Sequence, residues 1–119
     1  MRRRPRKSSI DQVLIAGTAT DLPAIRQVLL MLPDDIYGQV YVEAPEAAWT
    51  TLPCPPRVTV AWLPMDDQPR AATATTAWLA EWMPEEPQSD REFSLWVGAG
   101  ISGQIGTLCH RLDIELGVL

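Results

Sequence analysis

The sequence predicts a small doubly wound, Rossmann-like α/β fold, a parallel sheet of about four strands in the order 3-2-1-4. Short apolar runs alternate along the chain with longer segments of helical periodicity. Glycines follow the first and the last of these runs directly. Because such alternation favours parallel strands joined by right-handed crossovers, we expect helices on both faces of the sheet.

The opening unit, residues 12–32, carries the clearest pattern of strand, turn and helix. Its first apolar run is too short for a helix and meets Gly17, which predicts a strand that ends in a tight turn. Thr20 or Asp21 is suited to cap the helix that follows, and Pro23 falls in its first turn. This unit therefore predicts the first half of a β-α-β motif.

The second and third strands are predicted at residues 39–43 and 57–63, where β-branched and aromatic side chains are concentrated. Between them, residues 46–51 suit a single helical turn, and the proline-rich segment 53–56 leaves no room for a longer helix. We therefore expect an extended connector where most folds of this class have a helix.

The second half of the chain repeats the strand and helix pattern. Residues 70–83 have apolar side chains at helical spacing, and residues 92–97 predict a fourth strand. Ser102 is suited to cap a last helix whose apolar stripe reaches Leu116, and Gly117 is suited to end that helix. These patterns predict no further strand.

The chain divides into a basic arm, residues 1–11, which we expect to be disordered, and one domain, residues 12–119. The arm holds five of the ten basic residues, which leaves five against fifteen acidic residues in the whole chain. Because an acidic domain repels phosphate backbones, we expect no nucleic-acid binding outside the arm. A solvated tail is the simplest interpretation of the arm, and association with DNA or membranes is the alternative.

The sequence does not indicate a membrane protein, a metal-binding protein or a disulfide-stabilised protein. No apolar run approaches the length of a membrane span, and the apolar run after the arm is too short for an export signal. Cys54 and Cys109 have no partners at metal-ligand spacing, so we expect reduced thiols and no bound metal. The sequence therefore favours a cytoplasmic protein.

A ligand crevice is predicted where strands 1 and 4 lie side by side and their connections leave on opposite faces. Glycines there allow close backbone approach, and the start of the last helix offers free N–H groups to a pyrophosphate. The residues expected at the two lips are Gly17, Thr18 and Thr20 on one side and Gly98, Ala99, Gly100 and Ser102 on the other. The alternative is that both segments are simply tight β-α turns, since neither is a complete dinucleotide fingerprint.

Two further residues are candidates for cofactor binding. Glu43 closes the second strand, where dinucleotide folds place an acid on the ribose hydroxyls; an exposed strand-end carboxylate is the alternative. Acidic residues at this edge favour a cofactor without an extra phosphate. Trp96 lies one residue before the end of the fourth strand, close enough to report on the crevice. His110 fits the flank of a helix, and no residues are placed for catalysis.

Four segments, at residues 15–25, 40–48, 58–64 and 95–100, together resemble the siderophore-interacting protein family. They read IAGTATDLPAI, VYVEAPEAA, VTVAWLP and LWVGAG. The resemblance is to the C-terminal, ferredoxin-reductase-like domain. It implies the NAD(P)H-binding side of a flavin-dependent ferric-siderophore reductase, with hydride passing to an FAD held by a preceding barrel. The nucleotide would lie over Gly17, Thr18 and Thr20.

The chain departs from the family pattern in three ways. A basic arm stands where the FAD-binding barrel is expected, so we expect no FAD on this chain alone. The family usually has Trp-x-x-Gly-Glu at the fourth turn, but here Trp96 is followed by Val97-Gly98-Ala99-Gly100-Ile101, so the acid is missing. The family's last strand is expected to be missing. An incomplete reductase is therefore predicted.

From the resemblance and these departures we expect one of two functions. The first is an accessory or partner-binding module derived from the reductase. The second is the NAD(P)H-binding half of a two-component flavin reductase system, which supplies hydride to a separately encoded flavoprotein. An exposed sheet edge predicts either a homodimer or a larger protein partner at that edge.

Overall fold

A computed structural model describes residues 12–82, 93–112 and 116–119. Within these residues, five parallel strands form one sheet in the order β3-β2-β1-β4-β5. The strands are β1 (Gln12–Thr18), β2 (Tyr37–Glu43), β3 (Arg57–Leu63), β4 (Phe93–Val97) and β5 (Leu116–Val118). The predicted class and the predicted order of the first four strands are confirmed.

Three α-helices in the described part of the chain cover the sheet, and they are α1 (Leu22–Met31), α2 (Arg70–Trp82) and α3 (Ala99–Leu112). One face of the sheet packs against α1, through Ile25 and Leu29. The other face packs against α2 and α3, through Leu79 and Ile105 among others. This division follows from right-handed crossovers, because the chain moves outward from β1 to β3 and then reverses to β4.

The sheet is buried on both faces at its centre. Residues 13–16 of β1 are fully buried, so this strand has apolar neighbours above and below. Burying one such aliphatic side chain contributes about 1.5–3 kcal/mol to stability. Thr75 of α2 is also fully buried, and its hydroxyl has no hydrogen-bond partner among the described residues.

The fifth strand corrects the prediction for the end of the chain. Leu116 and Gly117 were expected in helix α3 and at its end, but they belong to β5, which pairs with β4. The reason is packing: a Cβ on Gly117 would lie 2.8 Å from the Trp96 ring, so the glycine gives the indole room to lie over the strand. The expectation that the last strand is missing was therefore wrong, and the edges of the sheet are β3 and β5.

The connector between β2 and β3 holds one short 3-10 turn, Glu46–Ala48, as the proline-rich sequence predicts. Trp49 follows it and stacks on Trp62 of β3, with ring centroids 6.2 Å apart. The indole N–H of Trp49 donates to the carbonyl of Ala44 at 2.9 Å, which fixes the ring. The connector is thus held on the α1 face without a helix.

Some predictions lie outside the described residues. They concern the arm at residues 1–11, the end of the second predicted helix at Met83, and the start of the fourth predicted strand at Glu92. In the part of the chain that is described, no helix is both long enough and apolar enough to cross a membrane.

Candidate functional site

The predicted crevice is expected between the carboxyl ends of β1 and β4. The two strands are hydrogen-bonded neighbours from Gln12↔Phe93 to Ala16↔Val97. Helix α1 leaves β1 on one face of the sheet, whereas α3 leaves β4 on the other face. The two glycine turns therefore face each other at the carboxyl edge of the sheet.

A carboxylate that the sequence analysis did not assign to the site lies between these two turns. A Cβ built on Gly17 would lie 2.9 Å from Oδ2 of Asp21, and a Cβ built on Gly98 would overlap the same oxygen atom. Gly17 and Gly98 therefore make room for the Asp21 side chain. The close approach that glycine permits is used here by a residue of the chain itself.

The Asp21 carboxylate also engages the donors of the first turn. Its Oδ2 accepts the backbone N–H of Thr18 at 2.9 Å and the Thr18 hydroxyl at 3.3 Å. The Thr18 hydroxyl lies 3.0 Å from the hydroxyl of Thr20. Thr20 or Asp21 was expected to cap α1; Asp21 holds the N-cap position, but its side chain makes no capping hydrogen bond to that helix. Its carboxylate turns back because the 3-10 turn Ala19–Asp21 precedes α1.

The second turn is more open. The Gly98 N–H donates to the Ala16 carbonyl at 2.9 Å, and the Gly98 carbonyl accepts from Ile101 and Ser102. A Cβ on Gly100 would meet no atom within 4 Å. The N–H groups of Ala99 and Gly100 precede the first donors within α3, so they are the groups that remain for a ligand.

Ser102 does not cap α3, which corrects the prediction. The helix begins at Ala99, three residues earlier than a cap at Ser102 would allow. The Ser102 hydroxyl donates to the Ala99 carbonyl at 2.9 Å, inside the first turn. It is half-buried beside the crevice.

Glu43 makes a structural hydrogen bond to the start of helix α2. In the sheet it pairs with Thr18 of β1, so it lies at the strand end next to the crevice. Its Oε1 accepts the backbone N–H of Ala71 at 2.9 Å, in the first turn of α2. A carboxylate in this position satisfies a free N–H group and interacts favourably with the positive end of the helix dipole.

An exposed ion pair lies at the outer rim of the same edge. Arg70 donates to both carboxylate oxygens of Asp66, with the shortest distance, from Nη2 to Oδ2, 2.8 Å. The hydrogen bond from Arg70 lowers the pKa of Asp66 below its ordinary value. Because both side chains are more than 40% exposed, this pair contributes little to stability.

Trp96 lies away from the lips of the crevice. Its ring covers Gly117 on the α1 face, and its indole N–H donates to the Ser94 hydroxyl at 2.8 Å. In the sheet it pairs with Ile15, one step inside the strand ends. The structure thus brings together the glycines, threonines and Ser102 of the predicted site, and places Glu43 and Trp96 in structural contacts nearby.

No catalytic arrangement stands out among the described residues. They contain no group of three or more histidine, cysteine or acidic side chains able to hold a metal. His110 is an exposed residue of α3. The groups at the two turns are backbone N–H donors, the hydroxyls of Thr18, Thr20 and Ser102, and the carboxylate of Asp21.

The sequence profile of the siderophore-interacting protein family matches residues 10–117. The chain belongs to this family. The fold agrees, since solved structures of the family superpose on nearly the whole chain. A comparison with curated proteins gives no match.

Two solved structures illustrate the likeness. A siderophore utilization protein from T. fusca has a TM-score of 0.68 and 21% identity, over 98% of this chain and 45% of that one. The siderophore-interacting protein SipS from Aeromonas hydrophila has a TM-score of 0.63 and 20% identity, over 93% of this chain and 44% of that one. This chain therefore spans less than half the length of these family members.

Proposed function

We propose that this chain is an accessory or partner-binding module of the siderophore-interacting protein family, in which the crevice does not accept the pyrophosphate of a dinucleotide. The observation that carries the proposal is the position of Asp21. Its carboxylate fills the space beside Gly17 and Gly98 and accepts the N–H of Thr18. In this proposal the chain acts by binding a partner protein through its surface, and not by binding a nucleotide.

The physical argument concerns charge and hydrogen-bond donors. A pyrophosphate binds a glycine turn because backbone N–H groups are free and no side chain intervenes. Here the Thr18 N–H and hydroxyl are already paired with Asp21. A second anion within about 4 Å of that carboxylate would meet a repulsion on the order of a few kcal/mol, which lowers affinity by orders of magnitude.

The open end of α3 supports a second candidate function, the NAD(P)H-binding half of a two-component flavin reductase system. The N–H groups of Ala99 and Gly100 precede the first intrahelical donors, and Gly100 leaves space above the helix start. In this candidate the pyrophosphate binds α3 once Asp21 turns away from Gly98. The flavin is held by a separate flavoprotein, and this chain presents the nicotinamide to it.

The acidic rim favours NADH over NADPH in that second candidate. Asp66, Asp67 and Glu46 are exposed near the ends of β2 and β3, and Arg70 is tied to Asp66. An extra 2′-phosphate would therefore meet carboxylates. A reductase of this kind would use the non-phosphorylated cofactor.

Reconstitution with a flavoprotein distinguishes the two functions. The purified chain is used to capture partners from cells of its source, and any yellow partner is assayed for NADH-dependent ferric-siderophore reduction with and without the chain. The accessory function predicts a partner whose nucleotide-dependent activity does not require the chain's crevice, so Gly100→Asp leaves the rate unchanged. Reduction that appears only when both proteins are mixed, and that Gly100→Asp abolishes, would establish the second function instead.

A further inference from the structure

The outer edge of β3 offers hydrogen-bonding groups in a short, defined stretch. Ala44 donates to the Leu63 carbonyl at 3.0 Å, and the Gln39 side chain donates to the Thr59 carbonyl at 3.1 Å. These contacts show that Thr59 and Leu63 direct their backbone groups toward β2. Because backbone groups alternate along a strand, Val60 and Trp62 direct theirs away from the sheet.

Both ends of this edge are closed by the chain itself. The Val58 N–H donates to the Pro55 carbonyl at 3.1 Å, and the Val58 carbonyl accepts the Cys54 thiol at 3.4 Å. At the other end, Pro64 has no N–H to offer. Only Val60 and Trp62 therefore keep outward backbone groups without a partner among the described residues, so the edge accepts one short strand and resists open-ended pairing.

We propose that this edge binds the β3 strand of a second copy of the chain, antiparallel, so that the sheets of the two copies form one continuous sheet. Val60 of each copy pairs with Trp62 of the other and exchanges both N–H···O bonds with it. The two-fold axis passes between the Ala61 residues. Val60 and Trp62 lie two positions apart with Ala61 between them, so a two-fold axis at Ala61 brings each onto the other, as an isologous dimer requires.

Side chains and charges fit the same register. Val60 and Trp62 lie on the same face of the sheet, so each β-branched side chain meets an indole across the interface, a favourable cross-strand pair. The small Ala61 side chains meet at the axis. Arg57, exposed at the start of β3, is carried toward the exposed Asp67 that follows β3 in the other copy. The attraction between the Arg57 guanidinium and the Asp67 carboxylate of the other copy favours a second copy over an unrelated strand.

Cysteine cross-linking tests the register. In the proposed pairing, Ala61 faces Ala61 in a non-hydrogen-bonded pair, with Cα atoms about 4.5 Å apart, within the range for a disulfide. Mild oxidation of Ala61→Cys should give a covalent dimer in high yield. Thr59→Cys is the matched control, because its two copies lie roughly 13 Å apart along the strands and should not cross-link. The unchanged protein, with Cys54 and Cys109, sets the background.

Proline substitutions at the two edges test which edge is used. Val60→Pro removes an outward N–H and should raise the dimer dissociation constant about thirtyfold or more, measured by sedimentation across a concentration series. Val118 also directs its backbone away from the sheet, because Leu119 donates to the Val97 carbonyl. Val118→Pro should therefore leave the dimer intact. Circular dichroism checks that both variants fold.

Several results would overturn the proposal. A monomer at all concentrations would exclude the second copy and leave the edge to a strand of another protein. A dimer that Val118→Pro breaks as readily as Val60→Pro would place the interface elsewhere. Equal cross-linking of Thr59→Cys and Ala61→Cys would exclude the register. If Val60→Pro does not fold, Arg57→Glu, which alters only an exposed charge, must weaken the dimer for the proposal to stand.

The dimer does not depend on the proposed function. The β3 edge lies at the end of the sheet, two strands away from the crevice between β1 and β4. Nucleotide binding, or its absence, is therefore compatible with either oligomeric state, and the two sets of experiments fail or succeed separately.

Discussion

The turn after β1 and the turn after β4 each place a glycine at a strand end of the same sheet edge, but only the first carries a carboxylate that folds back over both. Asp21 occupies the space beside Gly17 and Gly98 and holds Thr18. The second turn leaves Gly100 open. A glycine turn is thus available to a ligand only when no neighbouring side chain already uses the space.

The largest effect should come from adding a methyl group at the contact between the two turns. Gly98→Ala places a Cβ on the Asp21 carboxylate, so we expect a loss of about 2–3 kcal/mol in the free energy of unfolding, measured in urea. In the double variant with Asp21→Ala the overlap is removed with the side chain, so this variant should be about as stable as Asp21→Ala alone. A stable single variant would mean that Asp21 does not lie against Gly98.

Alanine substitutions of Asp21 and Glu43 test the hydrogen bonds that the two carboxylates accept. Asp21→Ala leaves the Thr18 N–H without its acceptor, and Glu43→Ala leaves the Ala71 N–H of α2 without its own. Each change should cost about 1–2 kcal/mol in thermal or urea unfolding. Asp34→Ala, in an exposed turn at the opposite edge of the sheet, is the control. Equal stability of all three variants would contradict the hydrogen bonds that define the first turn.

The same chemical change at two threonines should have opposite signs. Thr18→Val removes a hydroxyl paired with Asp21 and should cost about 1 kcal/mol. Thr75→Val removes a buried hydroxyl that has no partner among the described residues and should gain about 1 kcal/mol. Melting temperatures of both variants check this pair. Destabilisation by Thr75→Val would show that its hydroxyl is satisfied in the protein.

The smallest effect is expected at the open turn. Gly100→Ala adds a methyl group where no atom lies within 4 Å, at the start of α3. Since alanine favours the helix over glycine, stability should rise by about 0.5 kcal/mol. A loss comparable to that of Gly98→Ala would erase the difference between the two turns.

Most of the sheet could be predicted because each of its first four strands is indicated by residues within that strand and the turn next to it. Each of the first four strands is a short segment rich in apolar, β-branched or aromatic residues, and the alternation with helices leaves few topologies. The strand β5 could not be found in this way. Leu116–Val118 is too short to show a period, and Gly117 resembles a helix end until the Trp96 ring that covers it is known.

The meeting of the two glycine turns could be predicted, but the side chain that lies between them could not. Gly17 and Gly98 mark the two strand ends in sequence, and the strand order brings them together. The contact of Asp21 with Gly98 joins two turns that are far apart in the chain, so no local pattern reports it. A carboxylate close after the first glycine was visible in the sequence, but helix capping explained it equally well.

The most direct test of the account is a calorimetric titration of the wild-type protein, Asp21→Asn and the exposed-charge control Asp34→Asn with NADH and NADPH. Asn keeps the shape of Asp21 but removes its negative charge, so this variant tests whether charge repulsion, and not the filled space, is what excludes a pyrophosphate. The account predicts no heat from the wild type or from Asp34→Asn at millimolar nucleotide, and measurable binding of NADH by Asp21→Asn. Micromolar binding by the wild type would contradict it, because the crevice would then accept a pyrophosphate with Asp21 in place.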